Sequence, residues 1–181
     1  MHFVNNFSCL GRKLKIQSRC ADSVVYIMWT KCSLANEMDA PSCVFCDIAK
    51  GKSKTILEAD SEGFVIFRNI KPAAPNHYLI VPKQHYDSLM VLDESHITMV
   101  RNMEKEMQDF FASKGISTKD AIFGFHYPPL ISVEHLHMHG IAPRSKMSFA
   151  FQITYKPSTP WFKTTQDALL CLRTKEKGSP P

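Results

Sequence analysis

The stretch His135-Leu136-His137-Met138-His139-Gly140-Ile141 decides how this chain is read. Three of the eight histidines fall within five residues, separated by apolar side chains. In a strand, successive side chains point to opposite faces. The three imidazoles then share one face, spaced about 6.6–6.8 Å along the chain, and Leu136 and Met138 bury on the other. Gly140 marks a bend or a close approach of another segment to the backbone. The spacing predicts a strand over Ser132 to Ala142.

Working outward, Phe64 to Arg68 and His77 to Val81 are apolar, β-branched runs bounded by turn residues, and both read as strands. Thr55 to Ala59, Ala121 to Phe125 and Phe149 to Tyr155 read as further strands. Ile97, Val100, Met103, Met107, Phe110 and Phe111 recur at spacings of three and four. They predict one long amphipathic helix, opened by Asp93-Glu94 and closed by Gly115. Cys43 to Lys50 reads as a short helix ending at Gly51, and Thr165 to Leu172 as a terminal one. Strands able to pair antiparallel around a helix give an α+β class.

Composition bounds the rest. The chain has 181 residues, 44% of them hydrophobic and 22% charged, which suits one globular domain with tails. No run of about 18 apolar residues is present, so no membrane span is expected. The net charge of +5 is concentrated at the start: residues 1–36 hold five bases and one acid, residues 37–181 hold 17 bases and 16 acids. A nearly neutral body lacks the basic stripe of a phosphate-backbone binder. Residues 1–41 read as a basic, disordered extension, with a mitochondrial presequence as the rival, and residues 174–181 as a tail. Six cysteines in a chain with a real core do not require a disulfide scaffold. Without a recognisable signal peptide, they read as free thiols in the cytoplasm or also the nucleus, one pair excepted.

A row of imidazoles has two chemical uses beyond a polar strand face. Neutral imidazole is a nucleophile at physiological pH and a tunable proton carrier. It is also a metal ligand, and Cys43-Val44-Phe45-Cys46 adds a cysteine pair at zinc-ligand spacing.

The triplet resembles the histidine triad motif, His-φ-His-φ-His-φ-φ. Asn69-Ile70-Lys71-Pro72 and Pro75 to His85 resemble that superfamily's nucleotide-side strand pair, and Ser132-Val133-Glu134-His135 its approach to the triad. The resemblance spans residues 43–143. Phe125-His126-Tyr127-Pro128-Pro129 and Trp161-Phe162 before a final helix resemble the aprataxin-like branch of that superfamily. It implies a histidine triad domain over 42–173, with a five-stranded antiparallel sheet, one long helix and short flanking helices. The implied activity is adenosine 5′-monophosphoramidase-type hydrolysis, cleaving AMP from an amine or acyl group through a covalent AMP–histidine intermediate. His137 would be the nucleophile and His139 the partner at the phosphate or leaving group. His77 would orient His137, and Ser132 would bond the phosphate or serve as a turn residue. Phe45, Phe67 and Ile70 would wall the purine, with Val44 and Ile48 behind. Asn69 would face the ribose, and Met138 is grouped with the nucleotide-binding residues. Cys43, Cys46, His85 and His135 would hold a structural zinc, the alternative being two free thiols. No cofactor would enter the chemistry, and a homodimer is implied.

The sequence departs from the pattern at several positions. Asn69 stands where Asp is usual, Ile131 where dinucleoside-polyphosphate-hydrolysing relatives carry Gln, and Gly140 where a β-branched residue is usual. His126 is the candidate substitute for a phosphate-contacting Asn, although as a single residue it reads first as an ordinary loop histidine. Two other functions compete. One is an aprataxin-like deadenylase of adenylylated nucleic-acid ends, disfavoured because only Cys171 follows the triad as a zinc-finger ligand. The other is a non-catalytic nucleotide-binding or scaffold protein, disfavoured by His137.

Overall fold

The computed structural model describes residues 43–176. The expectations for residues 1–41 and for the end of the tail lie outside them. Six strands form one sheet: β1 (Leu57–Asp60), β2 (Phe64–Arg68), β3 (Asn76–Pro82), β4 (Ile122–His126), β5 (Met138–Ala142) and β6 (Phe162–Thr164). Their order is β1-β2-β3-β5-β4-β6, and every neighbouring pair is antiparallel. Four α-helices accompany them: α1 (Val44–Ala49), α2 (Ile97–Ser113), α3 (Phe149–Thr154) and α4 (Thr165–Glu176). The α+β antiparallel class stands, with a sixth strand beyond the five expected. No helix among the described residues is long and apolar enough to cross a membrane.

Alternation along the strands sorts side chains into two layers. Phe64, Ile66, Tyr78, Ile80, Phe125, Met138 and Ala142 face α2 and α4, where Val100, Met103, Met107, Phe110 and Phe111 complete the main core. Each fully buried Val, Ile, Met or Phe side chain among them contributes about 1.5–3 kcal/mol. Gly140 lies on this face, and a Cβ there would sit 2.7 Å from Met107 Cγ. The close approach expected at Gly140 is therefore the packing of α2 on the sheet. The α2 stripe falls where its period places it, but Asp93 caps a short 3-10 turn (Glu94–His96) that leads into the helix.

The opposite face holds two separate apolar clusters. Phe45 and Ile48 of α1 pack with Val65, Phe67, Leu79 and Val81. Tyr155, at the end of α3, packs with Ile122, Ile141, Met147 and Phe162. Phe149 to Tyr155 is thus helical, not the strand its alternation suggests. Ser148 Oγ accepts from Phe151 N–H at 3.5 Å and caps a helical turn. The β4 edge that a strand there would need is taken by β6. Cys43 and Cys46 are free thiols, but Cys171 in α4 is disulfide-bonded, against the free-thiol expectation.

Candidate active site

The histidines lie between these two apolar clusters. Leu136 and Met138 are sunk in the main core while the histidine rings sit on the other side of the sheet, so the alternation holds. The ladder itself begins only at Met138, and His135 and His137 lie in the irregular segment before it. The predicted strand start at Ser132 is corrected accordingly: His135 N–H bonds Val133 O and Leu136 N–H bonds Tyr86 O, which bends the segment away from the β3 ladder.

His137 Nδ1 lies 2.7 Å from His135 O. A carbonyl only accepts, so Nδ1 carries the proton and Nε2 presents a bare lone pair. Burial, above all, pushes the His137 pKa down to about 4, which keeps the ring neutral at pH 7. Its ring packs edge-on to Phe45 at 5.1 Å and to His139 at 5.1 Å.

His77 does not orient His137 as expected. Ala73 N–H donates to His77 Nδ1 at 3.0 Å, so His77 Nε2 carries the proton. It donates to His139 Nδ1 at 2.9 Å. His137 is oriented by the His135 carbonyl instead. His77 is fully buried, and burial pulls its pKa down to about 3, with His126, Arg68 and His137 adding to the shift. His139, with Nδ1 accepting, is protonated on Nε2. That N–H is buried and has no hydrogen-bond partner among the described residues. Burial, then the neighbouring imidazoles, hold the His139 pKa well below its ordinary value. A neutral imidazole with a bare Nε2 and an N–H donor with no partner among the described residues therefore stand side by side. His137 and His139 keep 7% and 4% of their surface exposed, so they meet solvent through a narrow edge. The cavities lined by Glu58 and Phe110 and by Leu89 and Lys163 touch neither ring.

The other expected residues divide. Phe67 packs 5.5 Å from Phe45 in the cluster beside His137, with Ile48 buried next to them. Val44 is half-exposed, and Ile70 is 92% exposed and outside that cluster. Met138 belongs by its side chain to the main core, packed on the far side of the sheet with its sulfur accepting from Thr165 Oγ1. Asn69 places its amide nitrogen 3.1 Å from His77 Nε2, while its oxygen accepts from Lys71 N–H. Ser132 is exposed on the loop before the triad. Tyr155 went unnoticed in the sequence. Its ring lies 5.3 Å from His139, 5.4 Å from His77 and 5.0 Å from His126, and burial raises its pKa to about 12. No local pattern announces it, because only the packing of α3 on the sheet brings it there.

Cys43, Cys46, His85 and His135 form a second cluster, able to hold a metal ion, with their ligand atoms all within 4.8 Å of one another. His135 Nε2–H donates to Pro82 O at 2.9 Å and His85 Nε2–H to Asp87 Oδ1 at 2.9 Å. Both Nδ1 atoms are thereby left unprotonated, and they face each other at 3.2 Å. Two bare lone pairs at that distance repel unless a thiol proton or a cation lies between them. Pro82 O and Asp87 fix the tautomers as outer-shell partners do in metal sites. Asp87, two residues after His85, is a partner the sequence offered and the reading above passed over.

An antiparallel sheet with neutral imidazoles set between two apolar clusters defines the class, and the comparisons agree. Residues 42–155 match the sequence model of the family described as "Scavenger mRNA decapping enzyme C-term binding", and the chain belongs to that family within the histidine triad superfamily. It is 38% identical over 135 residues to adenosine 5′-monophosphoramidase HINT3 of Mus musculus, covering 73% of this chain and 82% of the relative. Against the protein of the same name from Xenopus tropicalis it is 34% identical over 130 residues, covering 71% and 85%. A solved histidine triad protein from Clostridium difficile superposes with a TM-score of 0.53 at 27% identity, over 57% of this chain and 92% of that one. A zinc-bound histidine triad family protein from Mycobacterium smegmatis shares the fold, with a TM-score of 0.52 at 19% identity over 76% and 98%.

Proposed function

We propose that the chain is an adenosine 5′-monophosphoramidase-type hydrolase that releases AMP from an amine or acyl group. One observation carries the reading: the bare Nε2 of His137 beside the unpaired Nε2–H of His139. The names of the relatives support it. His137 Nε2 attacks the α-phosphorus, the new P–N bond forms, and the bond to the leaving nitrogen breaks. That nitrogen takes the Nε2 proton of His139. The His137 Nδ1–H bond to His135 O disperses the positive charge of the AMP–imidazole. Water then attacks phosphorus and returns a proton to His139 Nε2, and AMP leaves with His137 restored. Phe45 and Phe67 receive the purine in this reading. Ser132 reaches the phosphate only if its loop turns inward.

The Cys43, Cys46, His85 and His135 cluster holds zinc in the same reading, as a structural ion outside the chemistry. Tetrahedral zinc with Zn–S of about 2.3 Å and Zn–N of about 2.0–2.1 Å sets S···N near about 3.6 Å and N···N near about 3.3 Å. The separations of 3.3 and 3.5 Å between sulfur and nitrogen, and 3.2 Å between nitrogens, support it. The protein acts as a homodimer in the cytoplasm or nucleus.

The experiment is to trap the intermediate. Incubation with a fluorogenic adenosine phosphoramidate, followed by a rapid denaturing quench at alkaline pH, which preserves the acid-labile P–N bond, and mass spectrometry, is expected to find AMP on His137. Release of the amine without an AMP adduct, or no release across a panel of amine and acyl conjugates, defeats the reading.

A further inference from the structure

The rings on this face form a row. Phe45 lies 5.1 Å from His137, His137 5.1 Å from His139, and His139 5.0 Å from His126. One end is the apolar wall of α1, and the other is His126, the last residue of β4. His126 is held on three sides, by His139, by Tyr155 at 5.0 Å and by Phe162 at 5.3 Å. Phe162 comes this close because residue 124 is glycine: a Cβ there would sit 2.8 Å from the Phe162 ring.

As a stand-in for an asparagine amide, His126 was expected to offer the phosphate a hydrogen-bond donor. Its only donor is already used. His126 Nδ1–H faces Trp161 O at 3.3 Å, and that carbonyl can only accept. The proton of the neutral ring is therefore on Nδ1, and Nε2, on the far side of the ring from Trp161 O, is a bare acceptor. Burial favours the neutral ring. No described residue donates to that Nε2. A bare lone pair repels a phosphate oxygen, so what it accepts must be a donor. In the hydrolase reading, with the purine at Phe45 and the proton donor at His139, the leaving group falls at this end of the row. An amine leaving group brings an N–H; an ester or acyl anhydride brings none.

We propose that His126 determines specificity, its Nε2 accepting the N–H of the leaving amine and selecting phosphoramidates of AMP over oxygen-linked conjugates. The inference rests on the hydrolase reading and names its preferred substrate class. It makes His126 a reader of the leaving group. The AMP half is recognised at the Phe45 end.

Calorimetry on a His137→Ala background, which removes turnover, tests it with a matched pair: the N-propyl phosphoramidate and the O-propyl ester of AMP. The amidate is expected to bind about 5-fold tighter, the worth of one neutral hydrogen bond. His126→Phe and His126→Leu are each expected to reduce that preference to about 2-fold or less while AMP alone binds as before. Equal binding of the pair to the His137→Ala protein, or a full preference surviving in either His126 variant, overturns the proposal. If AMP binds and the wild-type enzyme turns over without a preference, only this inference fails. If AMP does not bind and no conjugate is cleaved, the hydrolase reading fails and takes this one with it.

Discussion

His77 Nε2–H donates to His139 Nδ1 at 2.9 Å, while His77 Nδ1 is held by the Ala73 amide. This pair of bonds fixes the His139 proton on Nε2, the atom left without a partner beside the nucleophile. His77→Phe keeps a ring in the buried site and removes the donor. The His139 tautomer is then free to invert, and its proton is no longer where the leaving nitrogen needs it. Single-turnover rates are expected to fall about 10–100-fold with little change in AMP affinity, as for residues that orient a catalytic group. An unchanged rate in a folded variant would show that His139 needs no such partner.

The candidate metal cluster is joined to His137 through one residue. The His135 ring belongs to the cluster, and its backbone oxygen holds His137 Nδ1 at 2.7 Å. Removing zinc with a tight chelator is expected to lower the melting temperature by more than about 5 °C. It is also expected to slow turnover, because the segment carrying that carbonyl loosens. Adding one equivalent of zinc restores both. Protein purified without chelators and found metal-free by elemental analysis, yet fully active, would contradict this.

The sequence made some of these relationships legible and hid others, for physical reasons. The α2 stripe from Ile97 to Phe111 and the apolar runs of β2 and β3 are read from periodicity, because burial of one face dictates it. The Cys43/Cys46 pair was visible from its spacing, whereas His85 and His135 joined it only through the resemblance to the histidine triad superfamily, because ligands far apart in the chain leave no local pattern. By contrast, β6 is three residues long and includes a lysine, too short for any period to register. Phe149 to Tyr155 alternates like a strand, and it takes the Ser148 cap together with the occupied β4 edge to explain why it folds as a helix. The His77 partner was misread because sequence gives neighbours along a strand but not which ring nitrogen meets which across β3 and β5. Leu79 pairs with His139 in that register, and His77 reaches the same imidazole from two residues away.

Gly124 is predicted to tolerate no side chain. A Cβ there would sit 2.5 Å from Lys163 O, a backbone atom of the paired strand that cannot swing aside. Gly124→Ala is expected to cost about 1–3 kcal/mol, the usual penalty of overpacking. It also displaces Phe162 from His126. Gly63→Ala is the control, since nothing lies within 4 Å of its Cβ position. Urea midpoints of the two variants decide it: a Gly124→Ala midpoint equal to that of Gly63→Ala would mean that β6 is not held against β4 as described.

Acid is expected to unfold the domain from its histidines. Burial lowers the folded-state pKa to about 3 at His77 and about 4 at His137. In the unfolded chain both return to about 6.5. Between those values the unfolded state binds protons that the folded state refuses, so stability rises with pH and is lost as pH falls below about 6.5. Each ring contributes up to about 1.4 kcal/mol per pH unit until its folded pKa is reached. Carboxylates do not account for a loss in that window, since their ordinary pKa lies near about 4. Urea midpoints measured from pH 7.5 to pH 5 in the presence of chelator, so that metal release adds nothing, are expected to fall steadily. In His77→Phe the fall is expected to be shallower, because one of the rings that cannot be protonated in place has been removed. A midpoint that stays level across the range would mean these imidazoles are reached by water and protonate without unfolding, and the neutral, dry row assigned to them would not exist in solution.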